Sequence, residues 1–221
     1  MRKLIQGIVA FRQNLQPEYR ERFARLALGQ APDALLIACS DSRVVPNLFA
    51  SADPGDLFVT RNVGNLVPPA ASEQGPSGGP SEAAAIEFAL ANLPVTDIIV
   101  CGHSECGAMH ALLRGRDRVE SPNLRSWLRH GEGSLERLGK DAVLDPTLAP
   151  HNRLSQCNVL VQMENVKTYP SVSNRMAAGQ LRVHGWWFEL KQADVYAYEE
   201  SVSRFVLIDE AEAASLLQRL E

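Results

Sequence analysis

No stretch of this 221-residue chain stays apolar long enough to span a membrane. The opening MRKLIQGIVAFRQNLQPEYRER starts basic, but Gln6, Arg12 and Gln13 interrupt its apolar run. No small-residue cleavage site follows, which argues against a secretory signal. There is no basic block, and a net charge of -4 with a pI near 5.8 gives no reason to expect nucleic acid as a partner. Cysteine is scarce too. Four in such a chain do not suggest a disulfide framework, since cytosolic thiols stay reduced. With no internal repeat and no long linker, the expectation is a cytoplasmic protein with one domain over residues 1–221. Such a chain can bury a sizeable core without staples.

What is present alternates between two periodicities. Leu4, Ile5, Ile8, Val9 and Phe11, then Phe23, Leu26 and Leu28, suit two amphipathic helices broken near Pro17, an N-terminal helical arm over residues 1–30. ALLIAC (34–39) reads as a fully buried strand, and DLFVTRN (56–62) as a second after the turn signal Asp53-Pro54-Gly55. A Pro-, Gly- and Ser-rich loop over 65–80 follows, with Ser81 as the expected N-cap and Glu82 as first-turn acid of the next helix. TDIIVCG (96–102) is a third strand. Helices are predicted over 121–140 and 151–168, with a shorter one after Pro170. Residues 181–190 and 194–199 read as a strand pair, and RFVLID and a helical tail finish the chain. Strands alternating with helices predict an α/β fold, a mainly parallel central sheet flanked by helices.

Ligands of open α/β sheets bind beyond the carboxyl ends of strands. Cys39 ends the first strand, and His103 and Cys106 follow the third. If those strands are neighbours, two thiolates and an imidazole converge, a set that suits zinc. Three protein ligands leave a fourth tetrahedral position open, as catalytic sites do. Cys101 reads better as a small buried hydrophobe, and Cys157 as core packing on a helix. No G-K-[ST] follows the glycine-rich loop, so it is read as turns and not as a phosphate cradle. His110, His130, His151 and His184 are scattered without ligand spacing and read as surface or core residues, although His110 could pass protons outward.

CSDSR at 39–43, RNVGN at 61–65 and CGHSECGA at 101–108 together resemble the signature motifs of the β-class carbonic anhydrases. The likeness runs from the N-terminal helices to the HGW segment at 184–186, and the chain is similar in particular to bacterial and cyanobacterial members of the plant-like branch. The resemblance implies one zinc per chain on Cys39, His103 and Cys106, with Asp41 and Arg43 as the catalytic dyad. It implies reversible hydration of CO2 to bicarbonate and a proton through a zinc-bound hydroxide, which Asp41 would orient while Arg43 fixes Asp41. Two thiolates neutralise the metal's formal charge, so its Lewis acidity should be weaker than with three histidines. Where members with a regulatory bicarbonate pocket carry Trp, this chain has Leu36, which favours a site open to water at neutral pH.

By the same resemblance Gln30, Phe58, Val63 and Phe88 match substrate-pocket positions. Read as residues alone, the three apolar ones suit core packing equally well, and Gln30 could cap a turn before Pro32. The resemblance implies a homodimer or higher homo-oligomer, with the N-terminal helices wrapping the partner and Gln30 contributed across the interface. The alternatives are a hydrolase of carbonyl sulfide or carbon disulfide on the same scaffold, and a non-catalytic zinc protein. Loss of Asp41 or Arg43, or a fourth cysteine ligand, would support the latter, and neither is seen.

Overall fold

The computed structural model describes residues 1–70, 80–140 and 145–220. Its frame is one sheet built from β1 (Ala34–Cys39), β2 (Leu57–Asn62), β3 (Asp97–His103), β4 (Arg182–Glu189), β5 (Asp194–Glu199) and β6 (Arg204–Leu207), in the order β2-β1-β3-β4-β5-β6. The first four strands run parallel, and β5 and β6 continue antiparallel. β1 lies between β2 and β3 and is buried along its whole length, which explains its unbroken apolar sequence. The predicted mainly parallel α/β architecture is therefore what forms. β3 extends one residue further than expected, so that His103 is its last residue.

The helices are α1 (Arg2–Ala10), α2 (Gln16–Leu26), α3 (Pro46–Phe49), α4 (Pro80–Asn92), α5 (Gly107–Arg114), α6 (Pro122–Leu128), α7 (Glu132–Lys140), α8 (Pro150–Lys167), α9 (Pro170–Ala177) and α10 (Glu210–Gln218). Several expectations need correction. A π-helical turn, Phe11–Leu15, joins α1 to α2, and Pro17 falls in the first turn of α2, where its missing N–H costs nothing. Ser81 is no cap, because Pro80 already opens α4, although Glu82 does lie in its first turn. The expected helix over 121–140 is three pieces, α6, a 3-10 turn at Arg129–Gly131, and α7. The short α5 and the strand β6 were not foreseen. Most of the glycine-rich loop lies outside the described residues.

α8 is the central helix, packed across β3 and β4. The approach is close: a Cβ at Gly185 would stand 2.6 Å from the Met163 sulfur and 2.9 Å from a Val159 methyl. The main core, including Leu35, Ile37, Ile86, Ile98, Val100, Val159 and Met163, fills this side of the sheet. Leu36, Ile99, Cys101 and Phe188 fill the other. Burial among apolar side chains pushes the Cys101 thiol up to about 12, as suits a packing residue. Among the described residues no helix is long and apolar enough to cross a membrane.

The end of the sheet away from Cys39 is tied by Asp97. Arg182 grips its carboxylate with two hydrogen bonds, 2.8 and 3.0 Å, and His184 Nε2–H and the Thr96 hydroxyl donate at 2.7 and 2.8 Å. Burial acts to raise this carboxyl, but the bonds from His184, Arg182 and Thr96 outweigh it and hold it well below the usual carboxylate range. The stabilisation is complete above the ordinary value of ~4 and is lost as pH falls from there toward the depressed folded value. Asp97→Asn should cost about 1–3 kcal/mol at pH 7, and the gap to wild type should narrow at pH 3. Urea unfolding at the two pH values measures it; an unchanged gap would contradict the assignment.

Candidate metal centre

Parallel pairing of β1 with β3 sets Ala38 opposite Cys101, so Cys39 and His103 leave the sheet at the same edge. Past β3 the chain makes one tight turn, with Glu105 in left-handed backbone at φ 56°, and enters α5 with Cys106 as its N-cap. The sulfurs of Cys39 and Cys106 and a ring nitrogen of His103 then lie within 4.8 Å of one another, all buried. No disulfide links the four cysteines.

The donor atoms of this cluster suit a metal. His103 Nδ1 donates to the Ser104 carbonyl at 2.8 Å, which leaves Nε2 as an acceptor. That Nε2 is buried and has no hydrogen-bond partner. The neighbouring Cys106 thiol, the His103 side chain and the Gly64 N–H at 3.3 Å from its sulfur pull the Cys39 thiol well down against the effect of burial. The hydrogen bond with Cys39, aided by burial, pushes Cys106 up. Two buried sulfurs beside a buried imidazole nitrogen without a hydrogen-bond partner are a donor set that a borderline-soft cation satisfies in full. Zinc fits it.

Asp41 and Arg43 stand next to this cluster. Arg43 donates from Nε to Oδ1 at 2.9 Å, from Nη2 to Oδ2 at 2.7 Å, and from its backbone N–H to Oδ1 at 3.0 Å. This fork holds the Asp41 carboxyl well below the usual carboxylate range, so it stays ionised. Arg43 Nη2 also reaches the Glu105 carbonyl at 3.0 Å. Arg61, on β2, donates to the carbonyls of Cys39 and Asp41 at 2.9 and 2.7 Å. Arg61 was not singled out in the sequence, although it opens the RNVGN motif.

A cavity of about 300 Å³ opens on the cluster, lined by Cys39, Asp41, Val63, Ala108, Leu124 and Leu128 among others. Of the pocket positions expected from sequence, only Val63 belongs to it. Phe58 and Phe88 stack on each other with ring centroids 5.7 Å apart, and Gln30 lines a separate groove with Arg22, Leu26 and Asp56. Within one chain, then, the structure does not bring those three to the cysteines.

A polar row on α8, not singled out in the sequence, supports the site from behind. Ser155 Oγ donates to the His103 carbonyl at 2.7 Å, Asn158 Nδ2 to the Gly64 carbonyl at 2.9 Å, and Gln162 Oε1 accepts the Val67 N–H at 2.8 Å. All three side chains are buried. Their spacing of three and four within SQCNVLVQ was the available signal, one polar stripe on a buried helix.

The fold and cluster define an α/β protein with two cysteines and one histidine that could hold a metal at the carboxyl edge of its sheet. A family model of carbonic anhydrases matches residues 34–195. The carbonic anhydrase of Pseudomonas aeruginosa is 39% identical over 216 residues, covering 95% of this chain and 93% of that one. Among solved structures, the β-carbonic anhydrase CcaA superposes with a TM-score of 0.84 at 37% identity, covering 94% of this chain and 98% of that chain. One of two tetrameric β-carbonic anhydrases from Sordaria macrospora superposes with a TM-score of 0.75 at 29% identity, covering 89% and 95%. The chain belongs to the β-class carbonic anhydrase family, whose members are lyases of the carbonate dehydratase type.

Gly64 has φ +86°, and a Cβ there would meet that of Ala108 at 2.8 Å. Gly64→Ala should therefore shift the N–H that faces the Cys39 sulfur. The expected result is metal retention weakened by roughly tenfold, by analogy with lost outer-shell contacts, read by competition with a chromophoric chelator. Retention equal to wild type would show that this N–H does not set the ligand.

Proposed function

We propose that the chain, acting as one domain over residues 1–221, is a zinc-dependent enzyme that interconverts CO2 and bicarbonate at the Cys39–His103–Cys106 cluster. The observation that carries this reading is the buried His103 Nε2, unpartnered beside two sulfurs, with an ionised carboxylate fixed next to it. Zinc held there would supply Lewis acidity that makes hydroxide available near neutral pH.

Every other role falls to the chain's own residues. Asp41 Oδ2 accepts only one hydrogen bond from Arg43, so it keeps a lone pair for a water hydrogen. It can thus aim the oxygen at carbon while the proton released by hydration goes to solvent. Because Arg43 keeps Asp41 ionised, this role persists across the working pH range. Val63, Ala108, Leu124 and Leu128 give the small apolar substrate a matching wall.

The remaining pocket residues and the assembly belong together in this proposal. Leu4, Ile5, Ile8 and Val9 are exposed, and neither α1 nor α2 has a buried residue. An apolar arm of this kind supports a homo-oligomer, at least a dimer, as does the tetrameric state of the Sordaria relatives. A second copy would then bring Gln30, Phe58 and Phe88 to the substrate. A cytoplasmic location is in keeping with four reduced, buried thiols.

Stopped-flow CO2 hydration with metal analysis tests this. Wild type should hold one zinc per chain and hydrate CO2 faster as pH rises from 7 to 9. Cys39→Ser should lose the metal. Asp41→Ala should keep it and lose roughly 10²-fold or more in rate. A zinc-replete wild type that hydrates no CO2 across this range would sink the reading, and hydrolysis of carbonyl sulfide in its place would transfer the site to that reaction. Light scattering should give a mass of two chains or more, and Ile8→Asp should lower it; a wild-type monomer would contradict the oligomer.

A further inference from the structure

A second donor cluster stands beside the first. His110 and His151 have no ligand spacing in sequence, but the fold stacks their rings with centroids 3.9 Å apart, inclined by 26°. Both aim Nε2 at the carboxylate of Glu105, His151 at 2.9 Å from Oε1 and His110 at 3.5 Å from Oε2. The three come from three different elements: the turn after β3, α5, and the first turn of α8. Their donor atoms lie within 4.8 Å of one another.

Glu105 is tied to the start of α8. Its backbone N–H donates to Asn152 Oδ1 at 2.8 Å, and Asn152 Nδ2 returns a bond to its Oε1 at 3.2 Å. Its left-handed backbone, φ 56°, is unfavourable for a residue with a Cβ, and such strain gathers at functional sites. Exposed ion pairs contribute little to stability, so folding alone gives little reason to gather two imidazoles on one carboxylate.

We propose that Glu105, His110 and His151 form a second metal site, distinct from the cysteine centre, for a divalent ion of the zinc, cobalt and nickel group. Two imidazole nitrogens and one carboxylate oxygen match the preferences of these ions, whereas magnesium and calcium favour all-oxygen sets. Three protein ligands leave room for water. Donors at ~2.0–2.2 Å from a shared ion stand at most about 4.4 Å apart, close to the 4.8 Å within which these three lie. The Glu105 carbonyl also accepts from Arg43, so the ligating turn is the one that anchors the Asp41–Arg43 pair. This inference stands on geometry and does not depend on catalysis at the cysteines.

Zinc-loaded protein titrated with cobalt(II) tests it, followed by calorimetry, metal analysis and visible absorption. The expected result is one further ion per chain with weak ligand-field absorption and no intense thiolate-to-cobalt band. His110→Ala and His151→Ala should each weaken this uptake by roughly 10–100-fold or more while one zinc per chain is retained. No second ion, uptake unchanged in both variants, or a thiolate-to-cobalt band with release of zinc would each overturn the proposal.

Discussion

The pairing of β1 with β3 is the contact on which the site depends. Cys39 and His103 are distant in sequence, and neither could find the other by local geometry. Side-by-side parallel strands in the register of Ala38 with Cys101 bring their ends to one edge. The pair is buried along almost its entire length, so its register is fixed by the packing of Leu35, Ile37, Ile98 and Val100. A slip of one residue would turn Cys39 to the opposite face of the sheet. The core is thus what makes the metal set possible, before any property of the cysteines themselves.

That edge carries a cost, because loops that bury their backbone must find hydrogen-bond partners. α8 provides them. Ser155, Asn158 and Gln162 lie on one stripe of a helix otherwise sunk in apolar contacts, and each bonds the main chain of a segment bearing the site. Gln162 is also joined to Asn158, and Asn158 to Ser134, while Ser155 accepts from the Trp187 indole N–H at 3.2 Å, so each member of the stripe has its partners. A fully satisfied buried network rigidifies its surroundings. Rigidity is what a site needs when one short turn must hold two of three donors.

Much of this was legible in the residues. Buried strands announce themselves as apolar runs, and the three donors sit in short motifs whose meaning survives without a fold. The strand end at Cys39 and the turn from His103 to Cys106 are both local facts. Other features were not local. The α8 stripe looks like ordinary helix polarity until burial is known. His110 and His151 are far apart in sequence, and only the approach of α8 to α5 stacks them. Residues 121–140 keep a helical pattern throughout, yet the 3-10 turn at Arg129–Gly131 divides them, where the buried Gly131 approaches the Leu112 side chain. Gln30, Phe58 and Phe88 do not join the cavity within the chain, and nothing in their local sequence distinguishes a pocket wall from ordinary packing.

The Asp41–Arg43 pair bears on whether Asp41 itself could turn to the metal. Alone, a partly exposed ion pair would be a weak restraint. Here the carboxylate receives three hydrogen bonds, and the guanidinium that gives two of them is itself anchored to the Glu105 carbonyl. The backbone beneath is fixed as well, since Arg61 holds the carbonyls of Cys39 and Asp41 together. To reach the sulfurs, Asp41 would have to give up a bidentate charged pair and leave Arg43 with only a backbone acceptor, a loss that charge-assisted bonds make large. The protonation state adds to this, because a carboxyl held so far down gains nothing further by ionising for a metal. The bonds from Arg43 therefore hold the Asp41 carboxylate where it is, and any turn of Asp41 toward the sulfurs would have to break them.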